Sequence, residues 1–111
     1  MTNNLSQRVG FDTERSLAST SFDGTTKAIG GVLTENPVVI VFDNQTDVEV
    51  PIYAGLVLWK TFSAGAAFVL DLRANHGFAS NYTMDLGTQF YTTATVGTTG
   101  SFRISITYAR V

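Results

Sequence analysis

The sequence predicts an all-β protein, an antiparallel β-sandwich or jelly roll with an extended N-terminal arm. Short apolar runs rich in β-branched and aromatic residues recur from residue 32 onward, separated by Gly, Asn and Asp. No segment sustains the i, i+3, i+4 apolar spacing of a helix, so a helix of any length is not expected. A chain of 111 residues is expected to form one domain.

The clearest strand predictions lie at residues 38–42 and 102–108. The run VVIVF at 38–42 is continuously apolar and ends at the turn-forming Asp43-Asn44, which is typical of a strand inside a sandwich. In residues 102–108 every second side chain is large and apolar, so one face of that strand is expected to be buried. Further strands are predicted at 48–53, 56–62, 68–73, 82–84 and 89–95.

Two features of residues 48–62 bear on surfaces. Pro51 cannot donate to a ladder, so it predicts an edge strand or an outward-facing position. Residues 56–62 are apolar on both alternating faces, with Leu56 and Leu58 on one side and Val57 and Trp59 on the other. One of those faces is therefore a candidate interface.

The first 31 residues differ from the remainder of the chain. They are polar and rich in Ser, Thr and Asn, with isolated large apolar residues such as Phe11 and Phe22. This pattern predicts an extended arm at 1–31 preceding a β-sandwich domain at 32–111. The arm has two interpretations, a floppy terminus or a segment that orders on a partner and buries its apolar residues there.

The composition favours binding over chemistry. Hydrophobic residues make up 44% of the chain and charged residues 14%, against a typical charged share of about 25%. Such a surface suits a protein that works in an assembly, although a Thr-rich sheet face gives the same statistic. The seven basic residues are scattered and the net charge is −2, so nucleic acid is not an expected partner.

Cysteine is absent, which excludes disulfides and thiolate metal sites. No apolar run approaches the 18 or so residues that span a bilayer, and no secretory signal opens the chain. We therefore expect no membrane partner and a soluble protein made in the cytosol of the producing cell.

Candidates for catalysis and metal binding are weak. His76 lies in a turn-like segment without a Gly-x-Ser-x-Gly motif, and a solvated loop imidazole accounts for it. Asp71 and Asp85 could form a carboxylate pair, but Arg73 offers Asp71 an ion pair on the same strand face. The acidic group at 43–49 lacks the ligand pattern of a calcium loop. The sequence thus predicts no catalytic residue, no metal and no cofactor.

The aromatic residues have three interpretations: a carbohydrate-binding platform, a core or a protein interface. The candidate interface residues are Phe11, Arg15, Phe22, Tyr53, Val57 and Trp59.

A family resemblance is carried by eight segments, at 15–18, 28–30, 36–38, 43–48, 58–62, 71–75, 87–90 and 100–106. It runs from about Arg15 to Val111. In these segments the chain resembles the capsid decoration proteins, also called staple or cement proteins, of tailed bacteriophages.

This resemblance implies a jelly-roll protein on the outside of an icosahedral shell. It also implies a homodimer about local two-fold axes that clasps neighbouring major capsid protein subunits and stabilises the shell. The protein would then be assembled in the host cytoplasm and reside on the capsid exterior of the virion. The alternative, from the aromatic residues, is a tail- or fibre-associated carbohydrate-binding module that uses Tyr53 and Trp59. A small hydrolase ranks below both.

Overall fold

A computed structural model describes residues 9–11, 14–35, 37–71 and 87–109, with only the backbone described for 9–11 and 109. Within these ranges there is no α-helix, and a 3-10 turn, Ser19–Ser21, follows the second strand. The strands are β1 Val9–Phe11, β2 Arg15–Ala18, β3 Lys27–Ala28, β4 Pro37–Asn44, β5 Val50–Ala54, β6 Val57–Phe62, β7 Ala67–Asp71, β8 Phe90–Thr92 and β9 Ser101–Ala109.

The strands form two antiparallel sheets, which confirms the all-β sandwich predicted from the sequence. Sheet A has the order β1-β9-β4-β7, and β2 also pairs with β9. Sheet B has the order β3-β8-β5-β6. Strand β6 is thus the last strand of sheet B in the described part of the chain.

The pairing is nested around the hairpin formed by β5 and β6. Outside that pair, β4 pairs with β7, β3 with β8 and β2 with β9. Because successive strands from β2 onward alternate between the sheets except at this hairpin, the connections gather at two ends of the sandwich. The β5–β6 turn lies at one end, together with residues 29–35 and 87–89.

Alternate side chains along the strands point inward and fill the space between the sheets. In β9, four large side chains face inward and are buried, as the sequence predicts, and β4 contributes Ile40 and Phe42. Strand β4 alternates rather than being buried on both faces, since Val39 and Val41 are only half-buried on the outer side. The buried apolar residues are Phe22, Ile29, Leu33, Ile40, Phe42, Val50, Ile52, Ala54, Phe62, Leu70, Phe90, Ala94, Phe102, Ile104, Ile106 and Tyr108.

Residues 14–31 differ from the extended arm that their composition predicts. Strand β2 pairs with β9 and β3 with β8, so this segment contributes to both sheets. Phe22 and Ile29 are core residues, with Phe22 only 1% exposed. The apolar residues of this segment look isolated in the sequence because they sit in short strands and loops, where no long period develops.

Two further strand predictions concern residues 82–84 and the position of Pro51. The predicted strand at 82–84 lies outside the described residues. Pro51 lies in β5, and the pairing of β5 with β8 is confined to Tyr53 and Ala54. Pro51 therefore sits where β5 has a ladder partner only in β6, at Thr61, which agrees with its predicted edge-like position.

Candidate functional site

The β5–β6 hairpin carries three of the six candidate interface residues, namely Tyr53, Val57 and Trp59. A fourth, Phe11, lies in β1, where its backbone pairs with Thr107; its side chain is outside the described part. The hairpin is therefore the place at which the structure brings the candidates together.

The other two candidates, Arg15 and Phe22, serve the body of the fold. The Arg15 guanidinium donates hydrogen bonds to the carbonyls of Gly31 at 2.9 Å and Val32 at 3.3 Å. Its aliphatic stem lies against Gly30, where an added Cβ would collide with it. The Phe22 ring is in the core, so it is not available on the surface of the chain.

A β-bulge in β6 interrupts the alternation that the sequence suggests. Ile52 is opposite Lys60, whereas the next residue, Tyr53, is opposite Leu58. Trp59 is therefore the extra residue of the bulge, and bulges re-aim the side chain that they carry. This is why Trp59 does not share the exposure of its neighbours.

Trp59 packs on an aromatic cluster that spans the two sheets. Its ring centroid lies 4.9 Å from that of Phe42, 6.1 Å from Phe62 and 5.9 Å from Phe68. The Lys60 ammonium lies 4.8 Å from the Phe68 ring centroid, a cation–π distance. Trp59 and Lys60 thus close the side of the sandwich where β6 and β7 run, and the indole stabilises the fold.

Tyr53 faces the opposite way. Its neighbours in β5, Ile52 and Ala54, are buried, so Tyr53 points to the outer face of sheet B, where it is half-buried. It pairs laterally with Tyr91 and with Leu58, which extends a row across that face. From one edge of the sheet to the other, the row is Ala28, Tyr91, Tyr53 and Leu58. Tyr53 and Trp59 therefore lie on opposite faces of sheet B.

The hairpin tip, defined here as Leu56, Val57 and Leu58, is the most exposed apolar group of neighbouring residues in the described structure. Their exposed fractions are 97%, 68% and 51%. Gly55 has a φ of +66°, and its position as the first central residue between Ala54 and Val57 matches a type II′ turn. That turn puts Leu56 at the outermost position of the hairpin.

The opposite end of the sandwich is polar and cross-linked by hydrogen bonds. Asn44 is fully buried, and its side-chain amide donates to the carbonyls of Val48, Phe62 and Ser63 at 2.9–3.1 Å. Its side-chain oxygen accepts from the backbone N–H and hydroxyl of Thr46. One side chain thus joins the end of β4, the loop after it and the end of β6.

Asp47 makes the second cross-link at this end. Its carboxylate accepts hydrogen bonds from the backbone N–H of Thr98 at 3.0 Å, from the Thr98 hydroxyl and from the N–H of Thr99. These bonds, that of the Thr98 side chain above all, hold the pKa of Asp47 below its ordinary value of 3.8. The carboxylate thus joins the loop after β4 to the loop after β8.

The weak candidates for catalysis lie only partly within the described residues. His76 and Asp85 lie outside the described residues, whereas Asp71 ends β7 opposite Val39. Among the described side chains, no group of three His, Asp or Glu residues is arranged to hold a metal ion. In the same part of the chain, no helix is long and apolar enough to cross a membrane.

Comparison of the chain with protein-family models, with curated proteins and with solved structures finds no match.

Sequence reasoning missed the turn residue Leu56 as a candidate, although it noted the apolar character of 56–62. The signal was present, because a Gly that follows a five-residue strand and precedes another apolar run is typical of a two-residue hairpin turn. The inward aim of Trp59 had no such signal, since a bulge depends on the register of two strands.

Proposed function

We propose that this chain is a structural protein of a tailed-bacteriophage virion, which binds the outside of the capsid and clasps neighbouring major capsid subunits. The observation that supports this most directly is the hairpin tip, where three consecutive aliphatic residues are exposed on a well-packed sandwich. Contiguous exposed apolar residues are typical of protein–protein contact sites. The choice of the major capsid protein as the partner is supported by the resemblance of segments 15–18 through 100–106 to capsid decoration proteins.

The strand pairing supports the jelly-roll part of this proposal. Four nested pairs, with strands distributed as β2-β9-β4-β7 and β3-β8-β5-β6, are the connectivity expected when one long hairpin is rolled into two sheets. The innermost hairpin of this pairing is β5–β6, and its turn carries the exposed hairpin tip.

Stabilisation would be mechanical. A typical stable interface covers about 800 Å² of each partner, and its affinity depends on a few well-buried anchors more than on area. A homodimer about a local two-fold axis would hold two capsid subunits at once, so its second contact gains from a high effective concentration. Many such clasps would raise the free energy needed to separate subunits.

The carbohydrate-binding alternative is less well supported. It needs Tyr53 and Trp59 to form one stacking platform, and these side chains lie on opposite faces of sheet B with Trp59 packed on Phe42. We therefore prefer the protein-contact function.

Electron microscopy of virions produced with and without the protein tests the proposal. We expect added density on the outer surface of the shell and a higher temperature of capsid disruption when the protein is present. Identical density and identical heat resistance in the two preparations would refute the function.

A further inference from the structure

We infer that the hairpin tip is a side-chain anchor, which inserts Leu56 into an uncharged apolar pocket on the capsid protein. This inference rests on the proposed function and adds to it which residues make the contact and how. Two other contacts compete with this one: strand addition to the β6 edge and association with a second copy of this chain.

Charge determines the chemistry of the pocket. Residues 50–59 contain no Asp, Glu, Lys, Arg or His, so no charged side chain lies within the hairpin from β5 to the bulge. Charged groups on a partner surface would therefore find no opposite charge next to Leu56. They would also lose their hydration when Leu56 is buried against them. An apolar pocket without charged groups is the complementary surface.

Two features of β6 oppose the addition of a partner strand to its edge. The bulge at Trp59 breaks the regular ladder, and Lys60 places a charged side chain on the same edge. Bulges and lysines are the devices by which edge strands avoid pairing with other chains. The bulge divides β6 into two regular stretches, Val57 and Leu58 on one side and residues 60–62 on the other, and each is shorter than a typical strand.

Area argues against a second copy as the occupant. The exposed parts of the three side chains amount to on the order of 200 Å² of apolar surface. An interface that holds two free proteins together covers about 800 Å² on each. The hairpin tip is therefore one anchor within a larger contact, as a capsid surface offers, rather than a dimer interface by itself.

The test is co-sedimentation of purified protein with shells assembled from the major capsid protein of the same phage. We compare the wild type with Leu56→Ser and with Val96→Ser, a matched control because Val96 is also an exposed aliphatic residue, at 63%. Val96 precedes Gly97 and Thr98 in the loop that Asp47 and Ser19 hold at the opposite end. We expect Leu56→Ser to weaken binding about 30-fold, the loss typical of an interface anchor, and Val96→Ser to change it less than about 2-fold.

The outcomes separate the inference from the function. If the wild type does not bind the shells, the proposed function and the anchor both fail. If the wild type binds and Leu56→Ser binds equally well, only the anchor is refuted. Light scattering of the free proteins covers the remaining case, because a wild-type dimer that Leu56→Ser converts to a monomer would identify the tip as a self-contact and overturn the inference. Equal thermal unfolding of all three proteins confirms that they are folded.

Discussion

At one end of the sandwich, the loops after β2, β4, β6 and β8 are tied together by buried or multiply bonded polar groups. We call this the polar end; its main bonds come from Ser19, Asn44 and Asp47. At the other end the hairpin tip exposes three aliphatic side chains, and Val32 nearby is 48% exposed. Substitutions at the polar end should therefore change stability, and those at the tip should change binding.

Both ends use glycine, but for different reasons. Gly55 permits a tight turn in open space, because nothing lies within 4 Å of where its Cβ would be. Gly100, with a φ of +81°, lies against the backbone of Gln45, where a Cβ would overlap the carbonyl. Close approach of two loops, rather than turn geometry alone, distinguishes the polar end.

The largest expected effect follows from that contact. Gly100→Ala combines an unfavourable left-handed backbone with a collision against the Gln45 carbonyl, so we expect a loss of about 4 kcal/mol in the free energy of unfolding. The matched control is Gly65→Ala, since Gly65 has a φ of +80° with open space around it. We expect it to lose only about 1–2 kcal/mol. Equal losses in urea unfolding would show that the loops are not in close contact.

The second prediction concerns the buried amide of the polar end. Asn44→Ala removes the buried amide that donates to the carbonyls of Val48, Phe62 and Ser63, so we expect a loss of about 3 kcal/mol. Gln45→Ala is the control, because Gln45 is exposed and its amide donates to Asp43, its own neighbour in the same segment; it should stay within about 0.5 kcal/mol of wild type. A loss at Asn44 no greater than that at Gln45 would contradict the proposed role of the amide in joining three segments.

The third prediction is acid sensitivity of the polar end. Because the folded-state pKa of Asp47 is below 3.8, its ordinary value, the stabilisation from its carboxylate is present above that pH. It is lost as the pH falls below 3.8 through the folded-state pKa. We expect Asp47→Asn to unfold at a lower temperature than wild type at neutral pH, and the difference to shrink in acid.

The control for this prediction is Asp23→Asn. The pKa of Asp23 is also lowered, chiefly by Thr25, but its contacts with Thr25 and Lys27 stay within five consecutive residues, 23–27. We expect a smaller change in melting temperature there. If the melting temperatures of Asp47→Asn and wild type differ by the same amount at every pH, the ionised carboxylate is not the source of the effect.

The smallest expected effect on stability is at the hairpin tip. Leu56→Ser alters a side chain that is 97% exposed, so the free energy of unfolding should change by less than about 0.5 kcal/mol. Trp59→Ala, three residues along, should cost about 3 kcal/mol, because it removes the packing on Phe42 and Phe68. Thermal or urea unfolding of the two variants checks the contrast, and a stable Trp59 variant would place the indole outside the core.

The all-β class, the absence of helix in the described residues and the buried face of β9 could be read from the sequence. They depend on local alternation and on turn residues, which are properties of neighbouring positions. The continuous run at 38–42 predicted a strand inside the sandwich, but not that Ile40 and Phe42 are buried while Val39 and Val41 are only half-buried. The uncharged character of the hairpin was present in residues 50–59, whereas the exposure of its tip and the outermost position of Leu56 came from the structure.

Other features depended on which strands became neighbours. Phe22 belongs to the core because β2 and β3 join opposite sheets, and nothing within residues 14–31 encodes that pairing. Trp59 turns inward because the register of β5 against β6 inserts one extra residue, and Asn44 is buried because three segments converge on it. Local sequence determines which residues can form strands, whereas contacts between distant segments determine which side chains are buried.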